Sequence, residues 1–211
     1  WTGRRLSLEF DAAFSLADVW INGIHLGQFM GGFTGFTTDI TDAVRRGGNL
    51  IAIRLSNEHD PDVLPGREIP DYDLYGGIYR GSRLVIKNDL YIPQHGITVT
   101  TPEASDAKGS VRVALDVCNM SAAESDCTCT AILRGPGGGE AGRIVTCHAL
   151  PPGKSERLEL SSCTIEAPAL WSPEMPNLYT LEVTLEDEEG IRDVDEATFG
   201  FRWFEFTVDS G

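Results

Sequence analysis

The chain has 211 residues, 41% hydrophobic and 23% charged, which suits a folded globular protein of one large β domain or two modules of about 100 residues each. Its 17 basic and 32 acidic residues give a formal charge of −15, which argues against nucleic acid and anionic membranes as partners, because both need a basic face. No stretch approaches the roughly 20 apolar residues of a membrane-spanning helix.

Strand signals dominate from the first residues. "WTGRRLSLEF" opens in strand-like sequence without the apolar centre of a signal peptide, and "FRWFEFTVDSG" closes as abruptly, so both ends read as those of a piece of a longer protein. "RRLSLEF" alternates, and "ADVWING" predicts a strand running into an Asn-Gly turn with "IHLGQF" as the return strand. "FTTDITDAVRRGG" predicts Thr/Asp caps and one short helical turn ending at Gly47-Gly48, before the strand "NLIAIRLSN". The proline-bearing "EHDPDVLPGREIPDYD" must be loop. Within "SNEHDP", Glu58, His59 and Asp60 are adjacent in sequence and therefore diverge on extended chain, so a solvated loop fits better than a metal site.

"DYDLYGGIYR" (Asp71–Arg80) leads into the strand "GSRLVIKN". Gly76-Gly77 admits positive φ and predicts a bulge or sharp strand entry. Ile78 is expected to point into the core, with Tyr79 and Arg80 alternating across the sheet. Asp71 and Asp73 are free to point outwards, as carboxylates that grip sugar hydroxyls or cations on a rigidly held loop often do.

A second rhythm begins near a boundary at Tyr91–Pro93, which divides the chain into domains 1–92 and 93–211. Val111, Val113, Leu115 and Val117 share one face, and short strands follow at intervals of about 10 residues, the pattern of an antiparallel immunoglobulin-type sandwich. "GPGGGE" (135–140) lacks the Lys-Ser/Thr of a phosphate-binding loop and predicts a hairpin turn. Five cysteines, Cys118, Cys127, Cys129, Cys147 and Cys163, form no disulfide framework by number or spacing and predict buried thiols on strands. Trp171 and Tyr179 bracket two prolines, and plugging the end of the sandwich suits them better than stacking on a sugar.

Taken together, "ADVWINGIHLGQFMGGFTGFTTDIT", "GGNLIAIRLSN", "YGGIYRGSRLVI", "LWSPEMPNLYTLEV" and "FGFRWFEF" resemble, in order, glycoside hydrolase family two, the β-galactosidase, β-glucuronidase and β-mannosidase group. The resemblance implies an all-β chain of two sandwiches: a galactose-binding-like jelly roll lacking its opening strands, then an immunoglobulin-like domain. It further implies a parent enzyme, most akin to a β-galactosidase, whose TIM barrel beyond this chain carries both catalytic carboxylates and acts on terminal β-linked sugars with retention. The chain alone would then be inactive, and Asn57-Glu58 only mimics the family's Asn-Glu acid/base motif. In β-galactosidases of the group, an aspartate nine positions before the arginine of "G(I/L)(Y/F)R" holds the sugar and a monovalent cation, and here that position is Asp71. No cofactor is expected within this chain. A monovalent or magnesium cation, and assembly as a homo-oligomer, are open to the parent. The competing reading from another class is a stand-alone carbohydrate-binding or adhesion module, since jelly rolls commonly bind glycans.

Overall fold

The computed structural model describes residues 1, 3–67 and 71–204. The end of "FGFRWFEF", from Glu205, and the close of the proline-bearing loop, Glu68–Pro70, lie outside the described residues. Contacts gather the chain into two compact units, Trp1–Lys87 and Asn88–Gly211. Among the described residues there is no helix, and the fold is all-β.

The first unit holds β1 (Arg5–Phe10), β2 (Ala13–Phe14), β3 (Leu16–Ile21), β4 (Ile24–Met30), β5 (Phe36–Asp39), β6 (Ile51–Ser56), β7 (Gly77–Ile78) and β8 (Ser82–Lys87). Two antiparallel sheets, ordered β5-β1-β8 and β4-β3-β6, are joined by a short ladder of β2 with β7. Alternation along β1 and β3 turns Leu6, Leu8, Phe10, Val19 and Ile21 into a common core. Phe36 stacks in that core on Phe10 and Phe29, with ring centroids 4.7 and 4.2 Å apart. The β3–β4 hairpin turns at Asn22 (φ 52°) and Gly23 (φ 87°), the pair of positive values that a two-residue turn matched to strand twist requires. In place of the helical turn expected to end at Gly47-Gly48 there is only a hydrogen-bonded turn, in which Ala43 and Val44 donate to the Ile40 carbonyl, and it closes before Gly47.

The two outer strands β6 and β8 are each paired on one side only among the described residues. Ile51 lies opposite core residue Ile21, and Leu84 and Ile86 lie opposite Leu8 and Leu6, so all three belong to the core-facing side. They are nevertheless 46%, 41% and 38% exposed.

The second unit holds β9 (Leu90–Tyr91), β10 (Ile97–Ala104), β11 (Lys108–Asn119), β12 (Ser125–Arg134), β13 (Glu140–Leu150), β14 (Lys154–Glu159), β15 (Cys163–Glu166), β16 (Tyr179–Asp187) and β17 (Gly190–Phe199). One sheet is built on β11, which β9 and β10 flank on one edge and β14 and β15 on the other; the second sheet runs β13-β12-β16-β17. Val111, Val113, Leu115 and Val117 face Cys127, Cys129, Ala131 and Leu133, and the alternation of Leu181, Val183 and Leu185 completes an immunoglobulin-like sandwich. The division between units falls a few residues ahead of the break expected near Tyr91–Pro93. The cause is the pairing of Leu90–Tyr91 with Cys118–Asn119, which carries Leu90 and Ile92 into the second core.

"GPGGGE" is a hairpin turn, with Gly135 donating to the Gly139 carbonyl at 2.9 Å and Gly138 to that of Gly135 at 2.8 Å. All five cysteines are free and lie on strands, but only Cys118, Cys127 and Cys129 are buried; Cys147 is exposed and Cys163 half-buried. Cys147 pairs with Thr128, whose neighbours Cys127 and Cys129 point inward, so Thr128 and Cys147 share the outer face. The contact with Cys127 and burial both push the Cys129 thiol up, as befits a core group that stays protonated.

Candidate functional site

Several short elements meet at one end of the first unit. Phe14 of β2 pairs with Gly77 of β7. The next residue, Ser15, donates its N–H and hydroxyl to the Ser56 carbonyl at 2.9 and 3.1 Å. Asn57, directly after β6, donates its side-chain amide to the Leu74 carbonyl at 3.3 Å. Gly76 lies flat against the same side chain, so that a Cβ there would stand 3.0 Å from the Asn57 Cβ. Gly32 is pressed on the Phe14 ring, where a Cβ would fall 1.9 Å from a ring carbon. The Tyr79 hydroxyl donates to the Gly32 carbonyl, and the Arg80 guanidinium lies 5.5 Å from the Tyr79 ring centroid.

The corner expected at Gly76-Gly77 is therefore present, with Gly77 at φ 113°. Ile78 departs from expectation. It is 41% exposed rather than core-facing, because β7 is only two residues long and pairs with Ala13–Phe14 outside the two main sheets. Asp71 and Asp73 are exposed on the loop before the corner. Tyr72, Tyr75 and Tyr79 are 57%, 77% and 45% exposed, so every tyrosine of this stretch presents surface to solvent. A glycine-set corner, a loop before it, carboxylates and amphipathic rings are the ingredients with which proteins meet sugar hydroxyls and pyranose faces.

The other candidates resolve into structure. Glu58, His59 and Asp60 are exposed, and among the described residues no three His, Cys, Asp or Glu side chains converge as metal ligands would. Trp171 is half-buried; its backbone N–H donates to the Phe201 carbonyl at 2.8 Å, and Arg202 lies 5.2 Å from its ring. Tyr179 is buried and its hydroxyl accepts from the Ala169 N–H at 2.9 Å. Tyr179 belongs to the core of the second sandwich, whereas the Trp171 ring lies against Arg202 outside that core. A cleft in the second unit between Asp89, Asn119, Asp126, Asp187, Glu188 and Arg192 is acidic, with Arg192 3.5 Å from Asp187 and also paired to Glu189.

Sequence reasoning missed one polar cluster. Asp18 points to the outer face of β3, yet its side chain is only 5% exposed, covered by neighbours on both flanking strands. Arg54 donates to it at 2.6 and 3.1 Å, His25 Nε2 is 3.0 Å away, and Gln28 donates at 3.3 Å. Burial alone would raise the Asp18 pKa, but the hydrogen bonds from Arg54, Gln28 and His25 prevail and hold it below the usual carboxylate value. The signal was an acid at an alternating strand position; its partners, from residues 25 to 54, become visible only with register.

The geometry describes an all-β protein of two sandwiches, the first of which presents an aspartate- and tyrosine-bearing loop. Residues 91–202 match the model of the family Glycosyl hydrolases family 2, and the chain belongs to that family. Its relatives include a β-galactosidase of Thermoanaerobacter pseudethanolicus, 28% identical over 99% of this chain and 27% of that protein. A β-glucuronidase of Bacteroides fragilis is 29% identical over 100% of this chain and 31% of its own length. Among solved structures, the β-glucuronidase of Bacteroides uniformis superposes with a TM-score of 0.92 at 26% identity, covering 98% of this chain and 25% of that one. The chain thus spans about a quarter to a third of the length of these relatives.

Proposed function

We propose that this chain is the non-catalytic part of a longer β-glycoside hydrolase, supporting a separate catalytic barrel and lending the Asp71 loop to its sugar pocket. The observation that carries this reading is the match of nearly the whole chain to a limited share of enzymes named as β-glucuronidases and β-galactosidases. Those names divide between two sugars. The β-galactosidase type is the reading that the Asp71 spacing favours, with β-glucuronidase or β-mannosidase specificity as its alternatives. The parent would work by double displacement, which needs two carboxyls about 5 Å apart on a rigid frame. Asp71 would accept hydrogen bonds from sugar hydroxyls and take no part in bond cleavage. A monovalent or magnesium cation could draw one ligand from Asp71.

The test compares the full-length enzyme with the 211-residue chain on aryl β-galactosides, β-glucuronides and β-mannosides. Turnover by the full-length enzyme alone is expected, and turnover by the isolated chain overturns the reading. The second reading, a stand-alone glycan-binding module, draws on the three exposed tyrosines beside Asp71. Calorimetric titration of the isolated chain with free glycosides separates the two, because a pocket completed only by the parent predicts no measurable affinity.

A further inference from the structure

We propose that Asn57 and Tyr79 are positioning residues for the Asp71 carboxylate, an inference that rests on Asp71 contacting the sugar. Leu74 is three residues from Asp71, and its carbonyl is held by the Asn57 side-chain amide. With that hold in place, Asp71 can stray at most about 10 Å from a fixed point, the length of three extended residues. Without it the next strand-paired residue on the C-terminal side is Gly77, held by Phe14 and twice as far along the chain, and the reach from that side grows to about 20 Å. Gly76 packs closely behind: a Cβ there would stand 3.0 Å from the Asn57 Cβ and could be fitted only if the Asn57 side chain gave way, so the amide and the loop are packed together as well as hydrogen-bonded. Tyr79 makes the second hold. Its hydroxyl ties the strand end to Gly32, which is itself pinned on the Phe14 ring. The residue that mimics half of a catalytic Asn-Glu pair thus acquires a separate role, from the atoms its amide touches.

Doubling a flexible tether lowers the local concentration of its end by about threefold, from the −3/2 power of length. In the full-length enzyme, Asn57→Asp, which keeps shape but removes the donor, is therefore expected to raise KM about threefold while kcat changes by less than twofold. Tyr79→Phe, which loses one hydroxyl and keeps the ring under Arg80, is expected to act in the same direction. Asn57→Gln, which restores a donor, is expected to recover part of the loss. The deciding measurement is a double-mutant cycle with Asp71→Asn. If Asn57 works through Asp71, the double variant has the KM of Asp71→Asn alone. Additive effects, or an unchanged KM for Asn57→Asp beside a raised one for Asp71→Asn, overturn the positioning role and leave Asp71 as a sugar contact. An unchanged KM for Asp71→Asn removes the sugar contact itself and the positioning role with it. Melting temperatures of the single variants separate these outcomes from general destabilisation, which would act additively with Asp71→Asn.

Discussion

Asp18 shows how a single carboxylate can be committed to structure. Its partners come from β4 and β6, so it fastens both flanking strands to β3 on the face away from the core. Its pKa is held below the ordinary value of 3.8, so the stabilisation is present above that value and is lost as pH falls through the lower folded-state value. Asp18→Asn is expected to melt at a lower temperature at pH 7. Below pH 4 its deficit relative to the parent chain should shrink, since protonation removes the same charge there. A constant deficit across pH 3–7 in thermal melts would show that shape rather than charge is at work.

At the scale of elements, two devices can be tested. The β3–β4 hairpin depends on Asn22, which adopts φ 52° and also joins the loop before β6. Its amide donates to the Ala43 carbonyl and to Asn49 Oδ1, each at 2.9 Å, and its own oxygen accepts from the Leu50 N–H at 3.1 Å. Asn22→Ala is expected to cost at least about 1–2 kcal/mol from backbone strain alone, and Asn22→Gly less, by denaturant titration of the first unit. In the second unit Phe201 is fully buried, edge-on to Tyr179 with ring centroids 5.1 Å apart, and fills the space above Gly109, where a Cβ would lie 2.6 Å from its ring. Phe201→Ala is expected to cost about 3–5 kcal/mol, measured as loss of stability in residues 88–211. Both devices were partly legible. The Asn-Gly pair announces its turn because few other residues accept two positive φ values. The role of Asn22 towards Asn49 and Leu50, and the fit of Phe201 on Gly109, depend on chain segments that periodicity cannot bring together.

At the scale of the whole molecule, each unit carries its own core, but the two are unequal. The second encloses a continuous set of buried residues drawn from both sheets, including Leu115, Leu133, Leu150, Leu181, Leu185 and Phe201. The first buries fewer, and it leaves Ile51, Leu84 and Ile86 of its outer strands exposed on the core-facing side. Residues 88–211 expressed alone are therefore expected to give a cooperative melt with strand-type circular dichroism. Residues 1–87 alone are expected to melt earlier and to bind a hydrophobic dye more strongly. Equal melting temperatures would show that the exposed aliphatics carry no penalty.

The sequence by itself determined the fold class, the hairpin at Asn22-Gly23, the inward row from Val111 to Val117, the turn at 135–140 and the corner at Gly76-Gly77. Each depends on alternation or on local backbone preference within about ten residues. Local reading offered Asp71 and Asp73 alike as outward carboxylates, the family resemblance chose Asp71, and both lie exposed on the loop before the corner. Only the tertiary structure decided that Ile78 faces solvent, that Cys147 lies on the outer face, that Asp18 gathers Arg54 and His25, and that Asn57 grips Leu74. The reason is common to all four: strand register and the meeting of distant loops choose which face a residue presents. A shift of one position would reverse every such choice while leaving the sequence pattern intact.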